Sequence, residues 1–165
     1  MLARVNAALA AAVKAAVVAM VAVMTVALAA QVGLRYVFNV TLSWSEELSL
    51  GLFTWTMLLM AALGVREGFH VRMALGIERL GGAARRAAER AIHLATAALG
   101  AFLAGAGWRY VAETQGSTSA AIGYPVGLLY ASGVACGVLI VFFALEAAIE
   151  GRIPSGDAPA DEHGR

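Results

Sequence analysis

The sequence predicts an all-α membrane protein of four transmembrane helices, and three observations predict it. Four stretches run almost free of charge, at 15–34, 48–65, 91–108 and 120–145. With about 1.5 Å of rise per residue, each can cross roughly 30 Å of hydrocarbon. Hydrophobic residues make up 61% of the chain and charged ones only 14%, well below the share in soluble domains. None of the four stretches shows the polar face and the i, i+3, i+4 apolar stripe of a soluble bundle helix. Residues 1–150 therefore read as a single membrane domain. Residues 151–165, polar with Pro and Gly, read as a disordered cytoplasmic tail.

The first span, Ala15–Leu34, follows Arg4 and Lys14. Arg4 and Ala27-Leu28-Ala29 resemble the charged start and small-residue cleavage site of a signal peptide. The uncharged run is longer than the usual apolar core of such a peptide, and Lys14 abuts it, so the span is expected to be retained. The second span, Leu48–Val65, is preceded by Ser43-Trp44-Ser45-Glu46-Glu47. Ser43 and Glu46 have the spacing of a capping box, and Glu47 falls in a first turn where the helix dipole favours an anion. Arg35, across the short loop, is a possible ion-pair partner. One glutamate is expected to cap and the other, Glu47, to pair with Arg35 or with a basic group on another subunit.

Between the second and third spans, residues 66–90 open with Arg66 and His70. They close with Ala83-Ala84-Arg85-Arg86-Ala87-Ala88-Glu89-Arg90, a short basic helix in which Arg85 and Glu89 are an i, i+4 pair. Attraction to anionic lipid is sufficient explanation for its charge. The third span, Ala91–Trp108, holds His93 as its only titratable group. The fourth, Ala120–Leu145, has Pro125 near its start, which fits an early helix position or a break. Its Cys136 is the chain's single cysteine, which excludes an intrachain disulfide, a CxxC redox pair and a thiolate metal site. Small residues recur at four-residue spacing: Thr25-Ala29-Gly33, Gly123-Gly127 and Gly133-Gly137, with Gly100, Ala104, Gly105 and Gly107 in the third span. Such faces let helix backbones approach closely in lipid.

Lys and Arg set sidedness through short loops. Ten of the twelve lie in the N-terminal segment, the 66–90 loop and the tail; Arg35 and Arg109 are the other two. Both termini and the 66–90 loop are thus expected in the cytoplasm. Tyr36, Trp44, Trp108, Tyr110 and Tyr124 gather at the opposite interface, where amphipathic rings settle. Sequential helices joined by loops this short are expected to pack as antiparallel neighbours. A net charge of +1 gives no sign of nucleic-acid binding.

No span carries an Asp, Glu, Lys or Arg away from its ends. Ion-coupled carriers place such groups, or broken helices, near the midplane. Gln31, Thr54, Thr56, His93 and Thr96 are the candidates left, so the chain is expected to hold no transport site. Haem would need two facing histidines, and His70 and His163 lie outside the spans. No cofactor, metal site or catalytic group is expected.

At this point the loops show a resemblance. Arg35-Tyr36, then Trp44-Ser45-Glu46-Glu47-Leu48, then Arg66 and His70-Val71 resemble the small membrane subunit of the tripartite ATP-independent periplasmic (TRAP) transporters. Gly123-Tyr124-Pro125-Val126-Gly127-Leu128-Leu129-Tyr130 is similar to that family's last loop and helix. The resemblance covers about residues 10–150. It departs at Arg72-Met73-Ala74-Leu75, where the family often has an acidic residue, at Gly81-Gly82, where a proline is common, and in a missing last-helix proline.

The resemblance implies a non-enzymatic scaffold subunit in the bacterial inner membrane. A large membrane subunit would carry the sodium and organic-acid sites, and a periplasmic binding protein would deliver the substrate. Arg35, Trp44, Glu46, Glu47, Arg66, His70, Gly123, Pro125 and Gly127 become candidate structural and interface residues. Two other classes compete. A redox-complex anchor needs paired haem ligands or a quinone pocket, and a small multidrug carrier needs a membrane-embedded carboxylate.

Overall fold

The computed structural model describes residues 2–67 and 82–150. The expected disordered tail and His70 lie outside the described residues. Four helices account for most of the rest: α1 (Leu2–Phe38), α2 (Ser43–Glu67), α3 (Gly82–Glu113) and α4 (Gly127–Glu150). All four are long and apolar enough to cross a membrane. Lipid leaves backbone groups no water to bond with, so a spanning segment closes its hydrogen bonds within a helix.

Helix ends follow local chemistry. Alanine, the strongest helix former, is abundant along the 37 residues of α1. Asn39 stops that helix in a left-handed conformation (φ 55°), which Asn tolerates better than most residues, and the Val40 N–H returns to the Leu34 carbonyl at 3.3 Å. The exit of α3 uses Thr114, whose hydroxyl donates to the Tyr110 carbonyl at 2.7 Å, followed by Gly116 at φ 84°.

Two boundaries differ from the sequence reading. The helix of the third span starts at Gly82 and not at Ala91, because the basic segment, expected as a short helix running into the span, forms the first turns of α3. The expected Arg85–Glu89 pair is present there, with Nε donating to Oε1 at 3.0 Å. The fourth span starts at Gly127 and not at Ala120, because residues 117–126 turn back on themselves as a hairpin.

Packing order also departs from chain order. α1 packs on α2, and α3 on α4, as expected for sequential helices. α2, however, packs on α4 and not on its successor α3. Trp55 and Arg66 of α2 meet Leu128 and Phe143 of α4 in that order, so the two central helices run parallel. The bundle is thus arranged α1–α2–α4–α3.

The apolar core lies between α1, α2 and α4, where Ala10, Val13, Val17, Leu59, Leu63 and Phe143 pack together. On α1 the buried positions 6, 10, 13, 17 and 27 fall along one side at helical spacing. Elsewhere large apolar side chains face outward, such as Val26, Leu50, Leu99, Phe102 and Ile149. A surface apolar on this scale is one that hydrocarbon or a partner covers.

The α3–α4 contact has a different basis. A β-carbon on Gly137 would come within 2.5 Å of the Gly100 carbonyl oxygen, and one on Gly107 within 3.0 Å of the Val134 nitrogen. These glycines let two backbones touch. Gly33 and Gly105 have nothing within 4 Å of such a carbon, so they face away from the bundle. Gly123 lies in the hairpin, so Gly123-Gly127 is not a helix face.

Candidate functional site

The end of the bundle bearing residues 39–42 and 114–126, here the two-loop end, gathers most of the sequence-singled residues. Ser45 is fully buried, and its N–H and hydroxyl both donate to the Leu42 carbonyl. That pins the short loop to the first turn of α2. The Ser43–Glu46 capping box does not form. Glu46 instead accepts from the Gln31 side-chain amide at 3.1 Å, which ties α2 to α1.

Glu47 makes the longest-range connection at this end. Its Oε2 accepts the backbone N–H groups of Ala121 at 2.8 Å and Ile122 at 2.9 Å, and Ser119 is a further hydrogen-bonding neighbour. Successive N–H groups converging on one anion form a nest, and hydrogen bonds to a charged acceptor are the stronger kind. Arg35, one of the two partners expected for Glu47, is exposed and forms no ion pair among the described residues.

The hairpin presenting those amides is closed by its own bonds. Thr118 and Pro125 form an antiparallel bridge, flanked by Ser119 N–H to Tyr124 O at 2.9 Å and Val126 N–H to Ser117 O at 3.0 Å. The Ser119 hydroxyl accepts from the Gly123 and Tyr124 N–H groups. Gly123 takes φ 78°, a conformation most side chains resist. Pro125 precedes α4, and its carbonyl accepts the Leu128 N–H at 2.9 Å. Gly127 opens the helix against Val111 and Thr114.

Aromatic residues surround this end. Tyr36, Trp44, Trp108 and Tyr110 are exposed, and Tyr110 stacks on Tyr130 with ring centroids 5.2 Å apart. Deeper, the Trp55 indole N–H donates to the Leu128 carbonyl at 3.2 Å, joining α2 to α4.

At the other end, the Arg66 guanidinium lies 5.9 Å from the centre of the Phe143 ring, and Lys14 pairs with Glu67. Sequence reasoning missed Glu146, one residue past the uncharged run. It is buried, and its Oε1 has no hydrogen-bond partner; Asn6 on α1 is in the same condition. Among the described residues no three His, Cys, Asp or Glu side chains are grouped to hold a metal.

The arrangement is one of braces: a carboxylate nest, an indole donor and a glycine seam, each joining two elements. A family model for the DctQ component of tripartite ATP-independent periplasmic transporters matches residues 24–152. The chain belongs to this family. The matched range takes in both the Trp44–Glu47 segment and the hairpin, so the nest joins two parts of the DctQ component that lie more than seventy residues apart. A comparison with curated proteins finds no match.

Proposed function

We propose that the chain is the scaffold half of the membrane part of a sodium-coupled, binding-protein-dependent secondary transporter for an organic acid. In this reading it braces the large transport subunit and offers its two-loop end to the periplasmic binding protein. It catalyses no reaction and holds no cofactor. It lies in the bacterial inner membrane with both termini and residues 66–90 in the cytoplasm, as the Lys and Arg asymmetry favours.

The observation that carries the reading is the position of the ionisable groups. No Asp, Glu, Lys or Arg occurs in 15–34, 48–65, 91–108 or 127–145, and His93 stands near the start of its span, so the middle of every helix lacks the fixed charge a coupling ion or proton would use. The charged groups that join helices do so at the bundle ends, and the deeper link, Trp55 N–H to the Leu128 carbonyl, is neutral. The outer helices meanwhile bury little of their length: 11% of the most apolar window of α1 and 17% of that of α3. That leaves wide faces for a partner.

Reconstitution with subunits omitted tests the proposal. Proteoliposomes holding this chain alone should take up no organic acid, and those holding the large subunit and binding protein should regain uptake when the chain is added. Uptake by the chain alone overturns the reading.

A further inference from the structure

Between α1, α2 and the start of α4 lies a partly open cavity of about 400 Å³. Met20, Leu48, Gly51, Leu52, Trp55 and Leu129 form its walls, and Glu47 and Tyr124 stand at its upper end. The α2 residues recur at one face over two turns. From Glu47 to Trp55 is eight residues, about 12 Å along a helix, most of the roughly 15 Å of hydrocarbon in one leaflet. The void is therefore long, parallel to the helices and at hydrocarbon depth.

Trp55 and Glu47, two of its polar neighbours, already have partners. The Trp55 N–H donates to the Leu128 carbonyl, and Glu47 Oε2 accepts from two backbone amides. Below the Tyr124 hydroxyl at the upper end, nothing in the wall calls for a polar ligand. Gly51 keeps the floor low, since a β-carbon there would meet only the Tyr124 hydroxyl, at 3.8 Å. An unfilled apolar void forfeits dispersion contacts along its whole lining. An acyl chain enters from surrounding hydrocarbon without dehydration and matches the void in direction as well as polarity. A partner's side chain would fill one turn and leave the remainder empty.

We propose that this cavity is an acyl-chain site, holding one tail of a phospholipid from the leaflet on the two-loop side and completing the packing of α1 against α2 and α4. The inference does not rest on the transporter reading.

The test uses the full-length chain with Trp44→Phe and Trp108→Phe, which leaves Trp55 as the sole emitter, in bilayers of phosphatidylcholine brominated at mid-chain. Trp55 emission should be quenched, and should fall with the brominated fraction as expected for one lipid at one site. Gly51→Leu, which fills the floor, should cut the quenching at least twofold, with helix content checked by circular dichroism. Phe53→Trp in a Trp55→Phe background places the reporter on an exposed face of α2 and should show the steeper dependence of many exchanging lipids.

Three results overturn the proposal. One is a many-lipid dependence at Trp55, which needs no filling variant to observe. The second is quenching that Gly51→Leu leaves unchanged. The third is quenching that disappears when the large subunit is present, which would make a partner segment the occupant.

Discussion

Gly137 of α4 lies against the backbone of Ala104 on α3, so close that a β-carbon would come within 2.5 Å of the Ala104 nitrogen. No rotamer relieves such a contact, because both sides are main chain. The α3–α4 pair is held by fit where the α1–α2–α4 core is held by apolar side chains.

Gly137→Ala should therefore lower the melting temperature of the purified chain, and Gly137→Leu should prevent the native fold. Overpacking a well-filled site costs about 1–3 kcal/mol, and immovable backbone places these at or above the upper limit. Gly105→Ala, on the facing helix α3 but with nothing within 4 Å, should be neutral or stabilising by up to about 1 kcal/mol. Equal losses from Gly137→Ala and Gly105→Ala would refute the seam.

Glu47→Gln should destabilise the chain more than Glu46→Gln, and Arg35→Gln should be silent. Glu47 offers charge to two amides, whereas a Gln at 46 keeps a carbonyl for Gln31. Hydrogen exchange gives the sharper reading: the Ala121 and Ile122 amides should lose protection in Glu47→Gln alone. Effects of Arg35→Gln and Glu47→Gln should add. Partial rescue in the double variant would restore the ion pair the loops suggest.

Glu146→Gln should raise the stability of the isolated chain, by on the order of 1 kcal/mol. It replaces a carboxyl whose buried Oε1 has no partner by an amide of the same shape that can also donate, and a buried polar atom without a hydrogen bond is costly. A loss of stability in thermal unfolding would show that the carboxylate is paired after all.

Sidedness is open to cysteine labelling in a Cys136→Ser background. A cysteine at Gly82 should be protected from an impermeant thiol reagent added to intact cells, and one at Gly116 should react. The reverse pattern would overturn the assigned orientation.

The spans were legible because hydropathy and length suffice to define them, and the family was legible from the Trp44–Glu47 and Gly123–Tyr130 segments. Helix limits were harder. Ala120–Val126 carries no charge, so hydropathy ran the fourth span through a hairpin that Gly123 and Pro125 alone signalled. The nest around Glu47 left no mark in sequence, since its donors are main-chain amides that any residue supplies. Glu46 escaped its capping role because Gln31, fifteen residues away, sits across the helix contact. The α2–α4 pairing was unreadable for a related reason. Short loops fix which chain neighbours are antiparallel, but nothing local states which hairpin faces which.

The order α1–α2–α4–α3 has a consequence for biogenesis. Each hairpin carries its own loop and its own close contact, while α2 meets α4 only after the second hairpin has entered the membrane. The Glu47 nest and the Trp55 donor, which both bridge the hairpins, are therefore made last and act as a latch on finished assembly. Two half-chains divided between residues 67 and 82, synthesised separately, should find each other in the bilayer through these contacts.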